Sequence, residues 1–226
     1  MTICIIPARS GSKRIKNKNI FLFEGKPIIY YAITAAKKSN LFKRIIVSTD
    51  SKKIAKIAIK YGAEVPFFRD KKLSDNFTPT YKVIVDCIKK IKSERIPYHF
   101  CIYPTSIFID KNDLKKAYNK ILKLKYNFIC PVQKFISHPL RSFKIKKDSI
   151  YYNWPKYQMT GSQDLEDFYH DTGSFYIYKT SALLKLKDHK ILPPKSTFYI
   201  LNKLSVDINT LDDLKLAKKL YKKIKH

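Results

Sequence analysis

The sequence predicts an α/β fold in which a mostly parallel sheet is covered by helices on both faces. Three observations carry that expectation. Apolar strand-like runs alternate four times with segments of helical periodicity between Thr2 and Lys125, the pattern of repeated strand-helix-strand units. The chain has 226 residues and is 45% hydrophobic, enough for a sizeable core. No internal repeat or low-complexity linker interrupts it, so residues 1–226 read as one domain carrying an insertion.

"TICIIPA" is the first buried strand. "PIIYYAITAAKKS" follows as a helix with Pro27 in its first turn. "RIIVSTD" is the second strand, and Asp50 or Ser51 can cap the helix after it, in which Ile54, Ile57, Ala58 and Tyr61 share one face. Gly62 supplies a left-handed stop. "AEVPFF" is a short extended piece, and "TPTYKVIVDCIKKIKSE" returns to helical spacing through Ile84, Cys87, Ile88 and Ile91. "YHFCIYP" is the next strand, followed by a helix over "KNDLKKAYNKILKLK".

From Phe128 to Asp171 the periodicity weakens. "NFICPVQKF" and "RSFKIKKDSIYY" have strand character, whereas "NWPKYQMTGSQDLEDFYHD" is an irregular excursion rich in aromatic and polar groups. "GSFYIYKTSALLKL" and "STFYILNKLSVDI" return to strands. The last helix starts at Thr210, with Asp212 and Asp213 in its first turn and lysines toward its end, as the helix dipole favours.

The formal charge of +28 invites a nucleic-acid reading. The lysines, however, are spread over every segment, and no RNP, KH, zinc-finger or helix-turn-helix signature accompanies them. No specific nucleic-acid partner is expected. No apolar run approaches the roughly 20 residues of a membrane helix, and the short run Ile3 to Ile6 meets Pro7 at once, unlike a secretory signal. A cytoplasmic protein without a membrane partner is the expectation. Cys4, Cys87, Cys101 and Cys130 form no CxxC pair and read as buried, reduced thiols.

The segment that calls for chemistry is "IIPARSGSKRIKNKN", residues 5–19. It is neither a GxxxxGK[ST] loop nor a GxGxxG turn, since Gly11 is its only glycine. It places the amides of Ser10, Gly11 and Ser12 after a strand and surrounds them with Arg9, Lys13, Arg14, Lys16 and Lys18. Cations beside amides match what a triphosphate requires, and a solvated basic loop is the alternative that composition alone leaves open.

This loop resembles the signature of the acylneuraminate cytidylyltransferases, which activate nine-carbon 2-keto sugar acids. "RIIVSTDSKKIAKIAIKYGAEVPFFR", "LSDNFTPT", "YPTS", "SQDLEDFYHDTGSFYIY" and "VDIN" follow in the family's order across nearly the whole chain. "LSDNFTPT" and "SQDLEDFYHD" are most similar to the members that act on pseudaminic acid. The resemblance implies a three-layer nucleotidyltransferase fold with a small insertion, about residues 132–172, used for dimerisation and sugar contact. It also implies attack of the sugar's anomeric hydroxyl on the α-phosphorus of CTP with Mg2+ as cofactor.

By match to the family's motifs, Arg9, Lys13, Lys18 and Asn19 are implied as catalytic, and Ser10, Gly11, Ser12, Arg69, Thr78 and Thr80 as CTP-binding. Tyr103, Arg141, Gln163, His170 and Asp171 are implied on the sugar side, and Asp207 and Asn209 at the metal. The chain departs from the family at three of its positions. Tyr103 stands where sialic acid enzymes commonly have glutamine, Gly161 where an arginine is frequent, and Asn209 where the family has the second aspartate of D-x-D. Enzymes for N-acetylneuraminic, legionaminic or octulosonic acid, and an inactive basic RNA-associated relative, are the alternative readings. His138 reads as a packed or surface histidine. Asp50 is explained as a helix cap rather than a ligand. A homodimer is implied, with the aromatic residues of the excursion as its candidate interface.

Overall fold

The computed structural model describes residues 2–186 and 192–225. Its first strand, β1 (Thr2–Pro7), leads through a loop and a one-turn 3-10 helix to a tight hairpin, β2 (Leu22–Phe23) and β3 (Lys26–Pro27). Then come α1 (Ile29–Ser39), β4 (Phe42–Ser48), α2 (Lys52–Lys60), α3 (Thr80–Lys90), β5 (Tyr98–Ile102) and α4 (Lys111–Leu124). The second half contributes β6 (Phe128–Lys134), the hairpin β7 (Phe143–Lys146) and β8 (Ser149–Tyr152), β9 (Tyr169–Asp171), β10 (Phe175–Lys179), the short α5 (Thr180–Leu183), β11 (Ser196–Ile200) and α6 (Leu211–Lys225).

The main sheet runs β11-β6-β10-β5-β1-β4, with β9 also paired to β6. β1 pairs in parallel with β4 and with β5, and β11 in parallel with β6, whereas β10 and β9 run antiparallel to their neighbours. The expected mostly parallel sheet is therefore present, with β9 and β10 as the reversal. β1 divides its side chains between two layers. Cys4 and Ile6 join Ala32, Ile33, Leu114 and Ala117 of α1 and α4 on one face. Ile3 and Ile5 join Ile84, Cys87 and Ile88 of α3 on the other. Helix, sheet and helix make three layers, because strands buried on both faces need a helix on each.

A third cluster closes the end of the sheet below the loop after β1. Ile15, Phe23, Ile28, Phe108, Ile208, Leu214 and Ala217 pack there, so α6 and residues 206–209 are anchored next to the basic loop.

Several local expectations are corrected. Pro27 lies in β3 rather than in the first turn of α1, which begins at Ile29. Ser51, not Asp50, caps α2, its hydroxyl accepting from the Ile54 amide at 3.4 Å. "RSFKIKKDSIYY" is a hairpin whose reversal uses a left-handed Lys147. "STFYILNKLSVDI" is a strand only to Ile200, beyond which side chains take over from the ladder: the Gln133 amide donates to the Leu201 and Lys203 carbonyls, and Lys203 bridges Asp110 and Asp113. Gly62 terminates α2 at φ 90°, as its position predicts. Thr210 and Asp213 cap α6 reciprocally, Asp213 accepting from the Thr210 amide at 2.7 Å and Thr210 from the Asp213 amide at 3.2 Å.

Cys4, Cys87 and Cys101 are buried, Cys130 is partly so, and all four are free thiols. No helix among the described residues is long and apolar enough to cross a membrane.

Candidate active site

A cleft of about 420 Å³ opens at the carboxyl ends of β1 and β5. β1 lies between β4 and β5, and the chain reaches those neighbours through connections on opposite sides of β1, which opens a crevice there. Three chain segments line it. The loop after β1 supplies Arg9, Ser12, Lys13, Arg14, Lys18 and Asn19; the stretch from the end of α2 into the first turn of α3 supplies Arg69, Asp75, Asn76, Thr78, Thr80 and Val83; the turn after β5 supplies Tyr103, Pro104 and Thr105. Of the residues expected from sequence, Arg9, Ser12, Lys13, Lys18, Asn19, Arg69, Thr78, Thr80 and Tyr103 converge on this one cleft.

The loop is held by its own side chains. Asn19, 7% exposed, donates from Nδ2 to the Arg9 carbonyl at 2.8 Å. Ser10 donates both its amide, at 2.8 Å, and its hydroxyl, at 2.6 Å, to Asp50. Asp50 is thus the loop's anchor, which corrects the reading of it as a helix cap. Ser10 faces β4, so in this arrangement Ser10 and Gly11 shape the turn without lining the cleft.

The cations are placed individually. Arg9 donates to the Gly11 carbonyl at 3.2 Å and to Asn76 Oδ1 at 2.6 Å, joining the loop to the segment opposite. Lys18 donates to the Ile208 carbonyl at 2.8 Å. Burial lowers its ammonium below the usual value; Asp207 opposes that shift while Arg14 and Arg9 add to it. Arg69, 5% exposed, donates to the carbonyl and hydroxyl of Ser48 at the end of β4, and burial lowers its guanidinium too. Asp75 accepts the amides of Thr78 and Phe77, which hold its carboxyl below the ordinary value and fix the turn before α3.

Tyr103 forms one wall. Its hydroxyl donates to Thr80 Oγ1 at 2.8 Å, and burial raises the phenol well above its usual range, so it stays protonated.

Beside the cleft, Asn209 links two charged groups: its Oδ1 accepts from Arg14 at 2.8 Å and its Nδ2 donates to Asp207 at 2.6 Å. Gly173, at φ 60°, packs against that carboxylate, and a Cβ there would stand 3.4 Å from Asp207 Cγ. Among the described residues no three carboxylate, imidazole or thiol groups converge as a metal cage. The Asp207 carboxylate keeps further acceptor directions that fit an oxygen-loving cation holding several waters and taking further ligands from a nucleotide, whereas Asn209 turns its amide nitrogen to Asp207 and its oxygen to Arg14.

The other expected sugar-side residues lie apart from this cleft. Arg141 donates to the Thr160 carbonyl at 2.6 Å inside the excursion, and Gln163 is exposed beside Asp164. His170 stacks near Phe135, ring centroids 5.0 Å apart, and borders a separate cleft of about 380 Å³ with Gln133, Ile136 and Leu204. Asp171 accepts from the Gly173 amide at 2.8 Å and from the Tyr176 hydroxyl. His138 meets backbone groups of its own chain: its Nδ1 accepts from the Leu140 amide and its Nε2 meets the Glu166 carbonyl.

Sequence reasoning missed Asn76 and Asp75 as lining residues and Asp50 as the anchor. A carboxylate directly after a strand, at the sheet edge where the basic loop also emerges, was the available signal.

The Ser10 and Ser12 amides, expected to face an anion, are instead spent on Asp50 and on the Ser10 carbonyl, and it is the cations at the carboxyl ends of parallel strands that suit this crevice to the phosphates a nucleotidyltransferase handles. The chain belongs to the cytidylyltransferase family, whose model matches residues 3–224. It is 39% identical over 223 residues to the pseudaminic acid cytidylyltransferase of Campylobacter jejuni subsp. jejuni serotype O:23/36 (strain 81-176), covering 97% of this chain and 96% of that one. It is 32% identical to the CMP-N,N'-diacetyllegionaminic acid synthase of Legionella pneumophila subsp. pneumophila strain Philadelphia 1, over 96% of this chain and 95% of that one. In fold it resembles a CMP:2-keto-3-deoxy-manno-octonic acid synthetase solved in complex with CTP, with a TM-score of 0.72, 12% identity and 98% of both chains covered.

Proposed function

We propose that the protein transfers CMP from CTP to the anomeric hydroxyl of a nine-carbon 2-keto sugar acid, pseudaminic acid in particular. The sugar oxygen bonds to the α-phosphorus, the α–β phosphoanhydride bond breaks, the hydroxyl proton is lost, and pyrophosphate leaves. The observation that carries this reading is the convergence of Arg9, Ser12, Lys13, Lys18 and Asn19 with Arg69, Thr78 and Thr80 around one crevice. Such a reaction needs no nucleophilic side chain. Its requirement is positive charge and N–H donors where negative charge accumulates on the phosphoryl oxygens and on pyrophosphate.

In this reading Lys13 and Lys18 face the triphosphate, and Arg9 leaves Asn76 for a phosphate oxygen. Asn19 keeps the loop backbone in place. Arg69 and the Thr78 to Thr80 segment bound the nucleoside. Asp207, supported by Asn209, holds magnesium, which when bound neutralises charge on the phosphates. Tyr103 borders the sugar subsite, joined by Arg141, Gln163, His170 and Asp171 of the excursion.

The excursion between β6 and β9 is the proposed dimer surface. Phe135, Phe143, Tyr151, Trp154, Phe168 and Tyr169 are exposed there, Ile136 is 93% exposed, and none of them belongs to the three core clusters. Aromatic anchors of this kind dominate interfaces. A cytoplasmic location completes the reading, supported by the free thiols and by CTP as the substrate.

Pyrophosphate release with CTP and magnesium, measured against pseudaminic, legionaminic, N-acetylneuraminic and octulosonic acids with ATP, GTP and UTP as controls, tests the reading. Release with CTP and pseudaminic acid is expected. Folded protein that is silent across the panel yet retains RNA in a salt-dependent manner would overturn it in favour of a basic RNA-associated relative.

A further inference from the structure

Residues 201–209, between β11 and α6, form neither strand nor helix, yet they carry Asp207 and present the Ile208 carbonyl to Lys18. The far end of this stretch is fixed by burial: Ile208 is fully buried in the third cluster, and the Asn209 amide donates to Asp213 at 2.8 Å. The near end is held by Gln133, which donates to the Lys203 carbonyl at 2.5 Å, and by the Lys203 side chain itself. Lys203 Nζ stands 2.7 Å from Asp110 Oδ2 and 2.7 Å from Asp113 Oδ2.

Those two carboxylates form the capping box of α4. Asp110 Oδ1 accepts the Asn112 and Asp113 amides at 2.7 and 3.1 Å, and Asp113 Oδ2 accepts the Asp110 amide at 2.9 Å. A box built from two acids sets like charges side by side, and Asp113 is buried, so a cation between them matters more than in an exposed ion pair. Burial alone would lower the Lys203 ammonium, yet its bonds to Asp110 and Asp113 raise it above its usual value and keep it charged.

The chain enters α4 directly from the turn after β5, whose Tyr103, Pro104 and Thr105 line the cleft. Ser106 and Phe108 of that connection face Ser205, Val206 and Asp207 across a gap of about 10 Å³, room for about one water. Lys203 therefore ties together two pieces of the site's surroundings, reaching Asp110 over 93 residues of chain.

We propose that Lys203 is a positioning residue for the metal site: by clamping the start of the 201–209 stretch to the α4 capping box, it sets where Asp207 stands beside the cleft. The proposal rests on the cytidylyl-transfer reading with magnesium as cofactor. An ion pair serving stability alone would affect unfolding and leave metal use untouched.

The test compares wild type with Lys203→Met, Lys203→Arg and the double variant Lys203→Met/Asp113→Asn. Two quantities are read: hydrogen–deuterium exchange of residues 204–208 in chelator, and the magnesium dependence of turnover at saturating CTP and sugar acid. Lys203→Met is expected to speed that exchange about tenfold while leaving β1 unchanged. It is also expected to raise the magnesium concentration at half-maximal activity about tenfold, the lower end of what lost support around a metal ligand costs. At saturating magnesium, kcat and the CTP KM should stay within about twofold of wild type, because the substitution touches neither substrate. Lys203→Arg keeps a cation between the carboxylates and should remain within about threefold of wild type in both readouts. The double variant removes the like-charge pair, so its melting temperature should return toward wild type while exchange and magnesium dependence do not. Unchanged exchange at 204–208, an unchanged magnesium dependence, or equal impairment by methionine and arginine overturns the proposal. So does a magnesium dependence that recovers together with the melting temperature in the double variant, which leaves Lys203 a stabilising ion pair. Absence of turnover in wild type is seen before any substitution; it overturns the cytidylyl-transfer reading, and this proposal with it.

Discussion

Asn209 donates its side-chain amide to the Asp207 carboxylate at 2.6 Å while its oxygen receives Arg14 at 2.8 Å. The amide satisfies Asp207 with a neutral donor, where the family's second aspartate would place another negative charge. Asn209→Asp should therefore lower the magnesium concentration needed for half-maximal activity, by about three- to tenfold, and lower the melting temperature of metal-free protein through carboxylate repulsion. Magnesium titration of activity and thermal unfolding in chelator check the two effects. An unchanged magnesium dependence would remove Asn209 from any role at the metal.

Asp50 holds both polar groups of Ser10, so the position of the loop depends on it. Asp50→Ala should raise the CTP KM about tenfold, with a stability loss of no more than about 1 kcal/mol, because the bonds lost lie at the exposed rim of the sheet. Nucleotide kinetics and urea unfolding of the same preparation separate the two quantities.

Arg69 is held almost entirely out of water against the end of β4. Arg69→Ala leaves the Ser48 carbonyl without its charged donor and should cost about 3 kcal/mol, visible as a lower urea midpoint at unchanged slope. Arg69→Lys should recover only part, since an ammonium does not reproduce a planar fork of donors.

His99 is fully buried between Ser93, at 3.0 Å from Nε2, and Thr180, at 2.8 Å from Nδ1. Burial lowers it from 6.5 to about 4. Its folded pKa lies below the unfolded one, so the unfolded chain binds the proton first and stability falls as pH drops from 6.5 toward 4. The loss attributable to His99 is roughly 3 kcal/mol at the acid end. His99→Gln should lose some stability at pH 8 and show a flatter profile across that window; matching slopes in urea titrations of the two proteins at several pH values would refute the assignment.

Much of the architecture was legible locally. Ile54, Ala55 and Ala58 bury one side of α2, and Gly62 ends it, because a 3.6-residue period and a left-handed glycine act within a few residues. The strand and helix alternation placed the basic loop at a sheet end for the same reason. The reversal at β9 and β10 was not legible, since an apolar run reads the same in either direction and only its ladder partners set its sense. The hairpin of β7 and β8 turns on a left-handed lysine, a residue with no turn signature of its own.

The sequence by itself determined the layered class of fold, the cation-rich loop after the first strand, and, through resemblance, the family. Those features reside in periodicity and in contiguous motifs. Only the tertiary structure decided how the charges are distributed: Asp50 anchoring Ser10, Lys18 holding Ile208, Arg14 reaching Asp207 through Asn209, and Lys203 bridging Asp110 and Asp113. Several of these pairs are separated by tens to nearly two hundred residues along the chain, and a hydrogen bond is made by proximity and direction, which composition and spacing do not contain.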